Sequence, residues 1–149
     1  MSKFVVRNPN FKENIIEKLK GQHFMHHIGF NLTKISKGKV VGEMPLKQIH
    51  NQQFGFVHGG VTATLMDITM GFAAYTLVPE GYGVVTASLG IDFLNPGEGE
   101  KIMAVGKVEK VGNKLLFCKA KLFTFKNGAK KKIASARSTM AVIQPKNKV

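Results

Sequence analysis

The sequence predicts an α+β domain in which one curved antiparallel sheet wraps around a single long helix. Three observations carry that expectation. Residues 59–79 contain one charged side chain, Asp67, and no polar stripe, so a helix there must be covered on most of its sides. Four strand-like runs follow in succession, at 86–93, 101–111, 114–125 and 131–143. Two more, at 29–35 and 39–44, precede the helix. One sheet built from these strands and curled around the helix accounts for the whole pattern.

Each element has a local reason. Asn10 as N-cap with Glu13 three residues later forms a capping box, and Phe11, Ile15, Ile16 and Leu19 then share one helical face that Gly21 ends. Ser36-Lys37-Gly38 turns the first pair of strands. In 86–93, strict alternation puts Ala87, Leu89, Ile91 and Phe93 on one face and Thr86, Ser88, Gly90 and Asp92 on the other. Asn95-Pro96-Gly97 ends that strand, Gly112-Asn113 joins the next two, and Asn127-Gly128 is a strong hairpin signal before the last.

With 149 residues and 44% hydrophobic content, the chain fits one domain, 1–149, with 1–28 as an N-terminal helical cover. Eleven phenylalanines supply bulk where tryptophan is absent. A lone cysteine, Cys118, excludes an intrachain disulfide and a multi-cysteine metal cluster. Met1 to Arg7 lack a secretory apolar core and acidic residues follow soon after, so a cytoplasmic location is expected. The formal net charge is +13. Such a field attracts polyanions of every kind, including nucleic acid, membrane surfaces and phosphate-bearing small molecules, while edge-guarding surface lysines explain it equally well. A membrane span over 59–79 is disfavoured by four threonines, the glycines and a carboxylate near the midpoint.

Asp67 stands out first. An unpaired carboxylate in the most apolar helix is costly to bury and is driven toward its protonated form, which points to a functional group, the alternative being a scaffold element that caps a loop or pairs with a lysine. Gly59 and Gly60 open the same helix. Glycines there leave backbone N–H groups uncovered at the positive end of the helix dipole, suited to holding an oxyanion, although they also suit a tight turn. His58 before them reads as a hydrogen-bonded structural histidine.

Together these residues are far more specific than any one of them. Residues 51–67, Asn-Gln-Gln-Phe-Gly-Phe-Val-His-Gly-Gly-Val-Thr-Ala-Thr-Leu-Met-Asp, resemble the motif of PaaI-like hotdog thioesterases, in which an amide residue precedes a His-Gly-Gly turn and an acid lies on the next helix. Residues 85–96 resemble the strand that follows in that family, with Thr86 at a Ser/Thr position. The likeness runs from about residue 29 to 143.

The resemblance implies a hotdog fold and hydrolysis of acyl-CoA thioesters. It assigns the carbonyl-polarising N–H to Gly59, the general base or nucleophile to Asp67 and a positioning role to Thr86. Gln52 takes a place the family gives to Asn, near the leaving sulfur or the water, and is one methylene longer. His58 and Gly60 flank that turn as substrate contacts. Asn95, Pro96, Gly97, Lys110 and Lys114 are the candidates to meet the CoA nucleotide. Met66, Met70, Phe72 and Phe93 are the candidates to line the acyl crevice, each equally readable as core. The family builds its site from two subunits, so a homodimer is expected, with a dimer of dimers as an extension. No cofactor or metal is expected, since His23, His26, His27, His50 and His58 form no ligand set of recognisable spacing.

The alternative is a non-catalytic acyl-CoA sensor on the same fold, although the residues before the first strand are too few for the DNA-binding domain that such proteins carry. Nucleic-acid binding is not expected, because the later lysines are dispersed along strands and no aromatic platform motif is present. A hotdog dehydratase would need an Asp/His pairing that the residues after His58 do not supply.

Overall fold

A computed structural model of the chain describes residues 4–146. The expected absence of a secretory segment at Met1 to Arg7 falls partly on residues 1–3, outside the described residues. Two helices, α1 (Phe11–Leu19) and α2 (His23–Ile28), lead into β1 (Asn31–Ser36) and β2 (Lys39–Pro45). A short 3-10 turn, Gln48–His50, then precedes the long helix α3 (Gly59–Tyr75). The strands β3 (Gly83–Phe93), β4 (Lys101–Val111), β5 (Leu115–Lys126) and β6 (Ala129–Ile143) complete the chain. All pair antiparallel in one six-stranded sheet ordered β1-β2-β4-β5-β6-β3, and α3 packs against its inner face.

The core lies between that face and α3. Leu65, Met66, Met70 and Ala73 of the helix meet residues such as Ile102, Ala104, Leu122 and Met140. Gly106 lets the helix approach closely, because a Cβ there would sit 2.4 Å from the Thr69 carbonyl carbon. At the far end of α3 the Thr76 hydroxyl donates to the Ala73 carbonyl and accepts the Gly38 N–H, tying the β1–β2 turn to the helix. Phe11, Ile15 and Met25 bring α1 and α2 into the same core.

Several expectations are corrected. Asn10 occupies the N-cap of α1 but its side chain caps nothing, and its own N–H donates to Asn8 Oδ1 instead. Ile16 is exposed rather than on the buried face. Helix α2 has no counterpart in the sequence reading, and α3 ends at Tyr75, four residues before Pro79. The sheet covers one side of α3 and stops: Thr62, Leu65, Thr69 and Ala73 are buried, whereas Val61, Thr64, Asp67, Ile68, Gly71 and Phe72 form a half-buried stripe. Strict alternation also fails in β3. The register against β6 shifts between Thr86 and Ser88, leaving Ala87 as an extra residue. That bulge returns Thr86 to the inner face with Leu89 and Ile91, which pack on the core.

Candidate active site

Asp67 sits midway along α3 on the half-buried stripe, two turns beyond the helix start. The expectation of full burial is therefore corrected: in the single chain Asp67 borders solvent, because β3 is an edge strand and no further strand closes over it. Its Oδ1 accepts a 2.6 Å hydrogen bond from Thr86 Oγ1, whose hydroxyl also lies 3.4 Å from Met140 Sδ. Around this pair opens a cleft of about 340 Å³, with Ile68, Gly71, Phe72 and Tyr75 on the helix side and Val84, Val85 and Met140 on the sheet side. Lys18 and Gln22 of the N-terminal segment line its far end, where the Lys18 ammonium stands 5.2 Å from the Tyr75 ring centre. Burial pushes the Tyr75 hydroxyl upward in pKa, against a hydrogen bond with Asn14 that lowers it.

A second hollow of about 340 Å³ lies at the start of α3, lined by Gln52, Phe56, Gly59, Phe93, Asn95 and Pro96 among others. Its wall is a small looped hairpin over 51–57. Asn51 bridges Val57, Gln52 N–H donates to the Phe56 carbonyl, and Gly55 turns the chain at φ 84°. The Gln52 Oε1 accepts the Phe54 N–H, which leaves its NH2 as the available group. Buried His50 anchors the hairpin from below. Its Nε2 donates to the Ile28 carbonyl at 2.7 Å and its Nδ1 accepts the Lys47 N–H at 3.0 Å, which fixes a neutral tautomer. The His50 carbonyl accepts the His58 N–H.

At the helix start His58 is the N-cap, and its Nδ1 accepts the Gly60 N–H at 2.8 Å. Gly60 therefore has its N–H occupied, and His58 serves the helix, as its structural reading anticipated. Among the described residues the Gly59 N–H has no intrachain acceptor, and Gly59 lines the second hollow. It is the uncovered donor of the Gly-Gly pair.

The remaining candidates divide. Asn95 and Pro96 are exposed at the second hollow, the Asn95 amide donating to the Lys132 carbonyl. Gly97 is buried there and its carbonyl accepts the Val57 N–H, so it joins the hairpin to the β3–β4 loop. Phe72 lines the Asp67 cleft and Phe93 the Gly59 hollow. Met66 and Met70 are both 0% exposed and line neither, so their place is the core. Lys110 and Lys114 lie at the opposite end of the sheet from Asn95: Lys114 adjoins Val142, which pairs with Val84 near the start of β3. Lys110 borders a separate hollow with Phe4, Arg7 and Leu77. Sequence reasoning missed Tyr75 and Met140. Tyr75 was accessible through the helical period from Asp67 and Gly71, whereas Met140 reaches the site only through the β3–β6 pairing.

The chain resembles a known group of proteins. Residues 54–130 fit the family model described as the thioesterase superfamily. The chain belongs to that superfamily. It is 31% identical over 132 residues to acyl-coenzyme A thioesterase 13 of Homo sapiens, covering 87% of this chain and 92% of that one. A thioesterase family protein from Silicibacter pomeroyi superposes with a TM-score of 0.88 at 29% identity, covering 90% of this chain and 98% of the other. The E. coli PaaI protein from the phenylacetic acid degradation operon shares the fold at a TM-score of 0.82 and 18% identity, covering 93% and 97%. The curved sheet packed against one long helix is thus the hotdog fold, and membership of the superfamily makes this chain a thioesterase by class. Among the described residues, no helix is long and apolar enough to cross a membrane.

Proposed function

We propose that the chain hydrolyses acyl-CoA thioesters in a site assembled from two copies, with Asp67 of one and the Gly59 N–H of the other acting on the same carbonyl. The separation of the two half-sites along α3 carries this reading. Eight residues of helix put Gly59 and Asp67 about 12 Å apart along the axis. A base and an oxyanion donor must each come within about 3 Å of the reacting group or its water. A second copy related by a two-fold axis, with its α3 antiparallel, supplies the missing partner to each half.

Strand β3 supports the same arrangement. It is an eleven-residue edge whose only charged side chain is Asp92, with Val85, Phe93 and Leu94 exposed on or beside it. Long uncharged edges invite strand addition. Pairing β3 with its two-fold mate would also bring Lys110 and Lys114 of one copy to the end that carries Asn95 of the other, where the CoA phosphates would lie.

Thr86 holds one carboxylate oxygen of Asp67, so the other takes a proton from water as general base or attacks the carbonyl itself. The Gly59 N–H receives the charge that develops on the carbonyl oxygen. The Gln52 NH2, left available by the bond from Phe54 to its Oε1, donates to the departing sulfur or to the water in this reading. Collapse releases the CoA thiolate, a stable leaving group near neutral pH, so the reaction requires no metal or cofactor. Where water attacks, the proton taken by Asp67 passes to the thiolate. Where Asp67 attacks, water then cleaves the acyl–Asp67 anhydride. By either route one water is consumed and the free acid and CoA are formed. The acyl group occupies the cleft lined by Ile68, Phe72 and Met140, in a protein of the cytoplasm.

The test is release of free thiol from short, medium, long and aromatic acyl-CoAs by wild type and by a folded Asp67→Ala variant. Turnover that collapses in the variant is expected. Tight binding of acyl-CoA without turnover would replace this reading with that of a sensor.

A further inference from the structure

The outer face of the sheet carries a row of cations set in register across four neighbouring strands. Lys39 of β2 stands opposite Lys107 of β4, Lys107 opposite Lys119 of β5, and Lys119 opposite Arg137 of β6. On β3 the row ends at Gly90, which adds no side chain. All four cations are exposed. Like charges directly opposite one another weaken a sheet. Glu109 answers two of them, pairing with Lys107 and Lys119 at 3.3 Å each, and these two lysines in turn hold its carboxyl below the usual range. Among the described residues, Lys39 and Arg137 have no ion pair. Along the same face Lys121 stands opposite Ser135, Phe123 opposite Lys132, and Phe125 opposite Lys130.

We propose that this face docks on an anionic lipid bilayer. The row spans three interstrand spacings, about 14 Å, and presents its charge as a line that a field of headgroup phosphates can answer along its whole length. Exposed apolar groups lie beside it: Phe117 on β5, next in line after Lys119, is 41% exposed and Leu115 is 39% exposed. Lysine and phenylalanine side by side suit the headgroup boundary, where stems and rings meet acyl carbons while the ammonium groups stay wet. Nucleic acid is the less suitable polyanion. The outward positions of β4, β5 and β6 carry no Asn or Gln to read base edges. Two of the three outward rings of β5 are occupied, since Lys130 covers Phe123 at 4.2 Å and Lys101 covers Phe125 at 4.6 Å, and Phe117 by itself makes no platform for successive bases. A second copy docked face to face would set cation row against cation row. Because α3 and both clefts lie on the inner side of the sheet, a chain seated in this way keeps its site open.

Sedimentation of the full chain with vesicles tests this, using phosphatidylcholine alone or mixed with phosphatidylglycerol, at low and high salt. Capture is expected only by the anionic vesicles and is expected to be released by salt. Lys119→Gln with Arg137→Gln should lower the partition on the order of tenfold. Lys12→Gln with Lys47→Gln removes the same charge elsewhere and should change it less than about twofold. Circular dichroism checks folding, and Lys39→Gln with Lys121→Gln serves if the first pair does not fold. No capture, or equal loss in row and control variants, overturns the proposal. Preferential binding of a single-stranded oligonucleotide, lost with the same row, would overturn it in favour of nucleic acid.

Discussion

Thr86 Oγ1 donates to Asp67 Oδ1 at 2.6 Å, joining the edge strand β3 to the middle of α3. A hydrogen bond to a carboxylate is about twice as strong as a neutral one and fixes which oxygen is free to react. Thr86→Val keeps the shape and removes the donor. A fall of roughly 10–100-fold in kcat is expected with little change in KM, and Thr86→Ser should recover most of it. Steady-state kinetics on the three proteins checks this; a change confined to KM would remove Thr86 from the positioning role.

Gly59 permits an unusually clean substitution. It is the first residue of α3, where proline is tolerated, and His58 before it is already extended at φ −62° and ψ 136°. Gly59→Pro therefore deletes one N–H while leaving the helix in place. A kcat loss on the order of 10²–10³ is expected, with unchanged thermal stability.

If the site is shared between copies, two inactive proteins should rescue each other. Mixing refolded Gly59→Pro and Asp67→Asn chains would give mixed dimers with one intact site each. About one quarter of wild-type activity is expected at equal proportions, from random pairing of two-fold dimers. Activity that stays at the level of the separate variants would place both groups in one chain's site.

The buried His50 ring bridges two backbone groups, the Ile28 carbonyl and the Lys47 N–H. His50→Ala should cost about 2–4 kcal/mol and lower Tm by roughly 5–15 °C, measured by calorimetry. Because the 51–57 hairpin rests on this ring, KM should rise as well.

Cys118 gives a pH dependence. Burial pushes its thiol from an ordinary value of 9.0 up to about 12, partly offset by a hydrogen bond with Ser138. The folded state thus keeps a proton that the unfolded chain releases, so stability is full below pH 9 and falls as pH rises toward 12. The slope is at most about 1.4 kcal/mol per pH unit. Denaturant titrations of wild type and Cys118→Ala across this range should converge as pH rises. The same burial should leave Cys118 unreactive toward thiol reagents in the native protein.

Much of the fold was legible because it is written in local patterns. Asn127 and Gly128 adopt φ values of 50° and 79°, the two positive values that a tight hairpin demands, and β4 runs from Lys101 to Val111, the strand-like run read between turns. Helix α2 escaped because six residues rich in histidine give no readable period. The inward turn of Thr86 escaped because a bulge adds one residue and reverses a two-residue alternation. At the site, Asp67, Gly59 and Gln52 stand within a 16-residue span whose spacing can be read directly. Lys18, Tyr75 and Met140 reach the cleft from three separate parts of the chain.

By itself the sequence determined the order of the strands around the long helix, the turns, the lone carboxylate on an apolar helix and the uncovered glycine at its start, since each follows from the chemistry of near neighbours. Tertiary structure alone decided that β3 is an open edge, that Asp67 faces solvent beside it, and that the two halves of the site lie at different levels of α3. Those features depend on which strands pair and where the sheet stops, and strand pairing is settled by contacts between residues far apart in the chain.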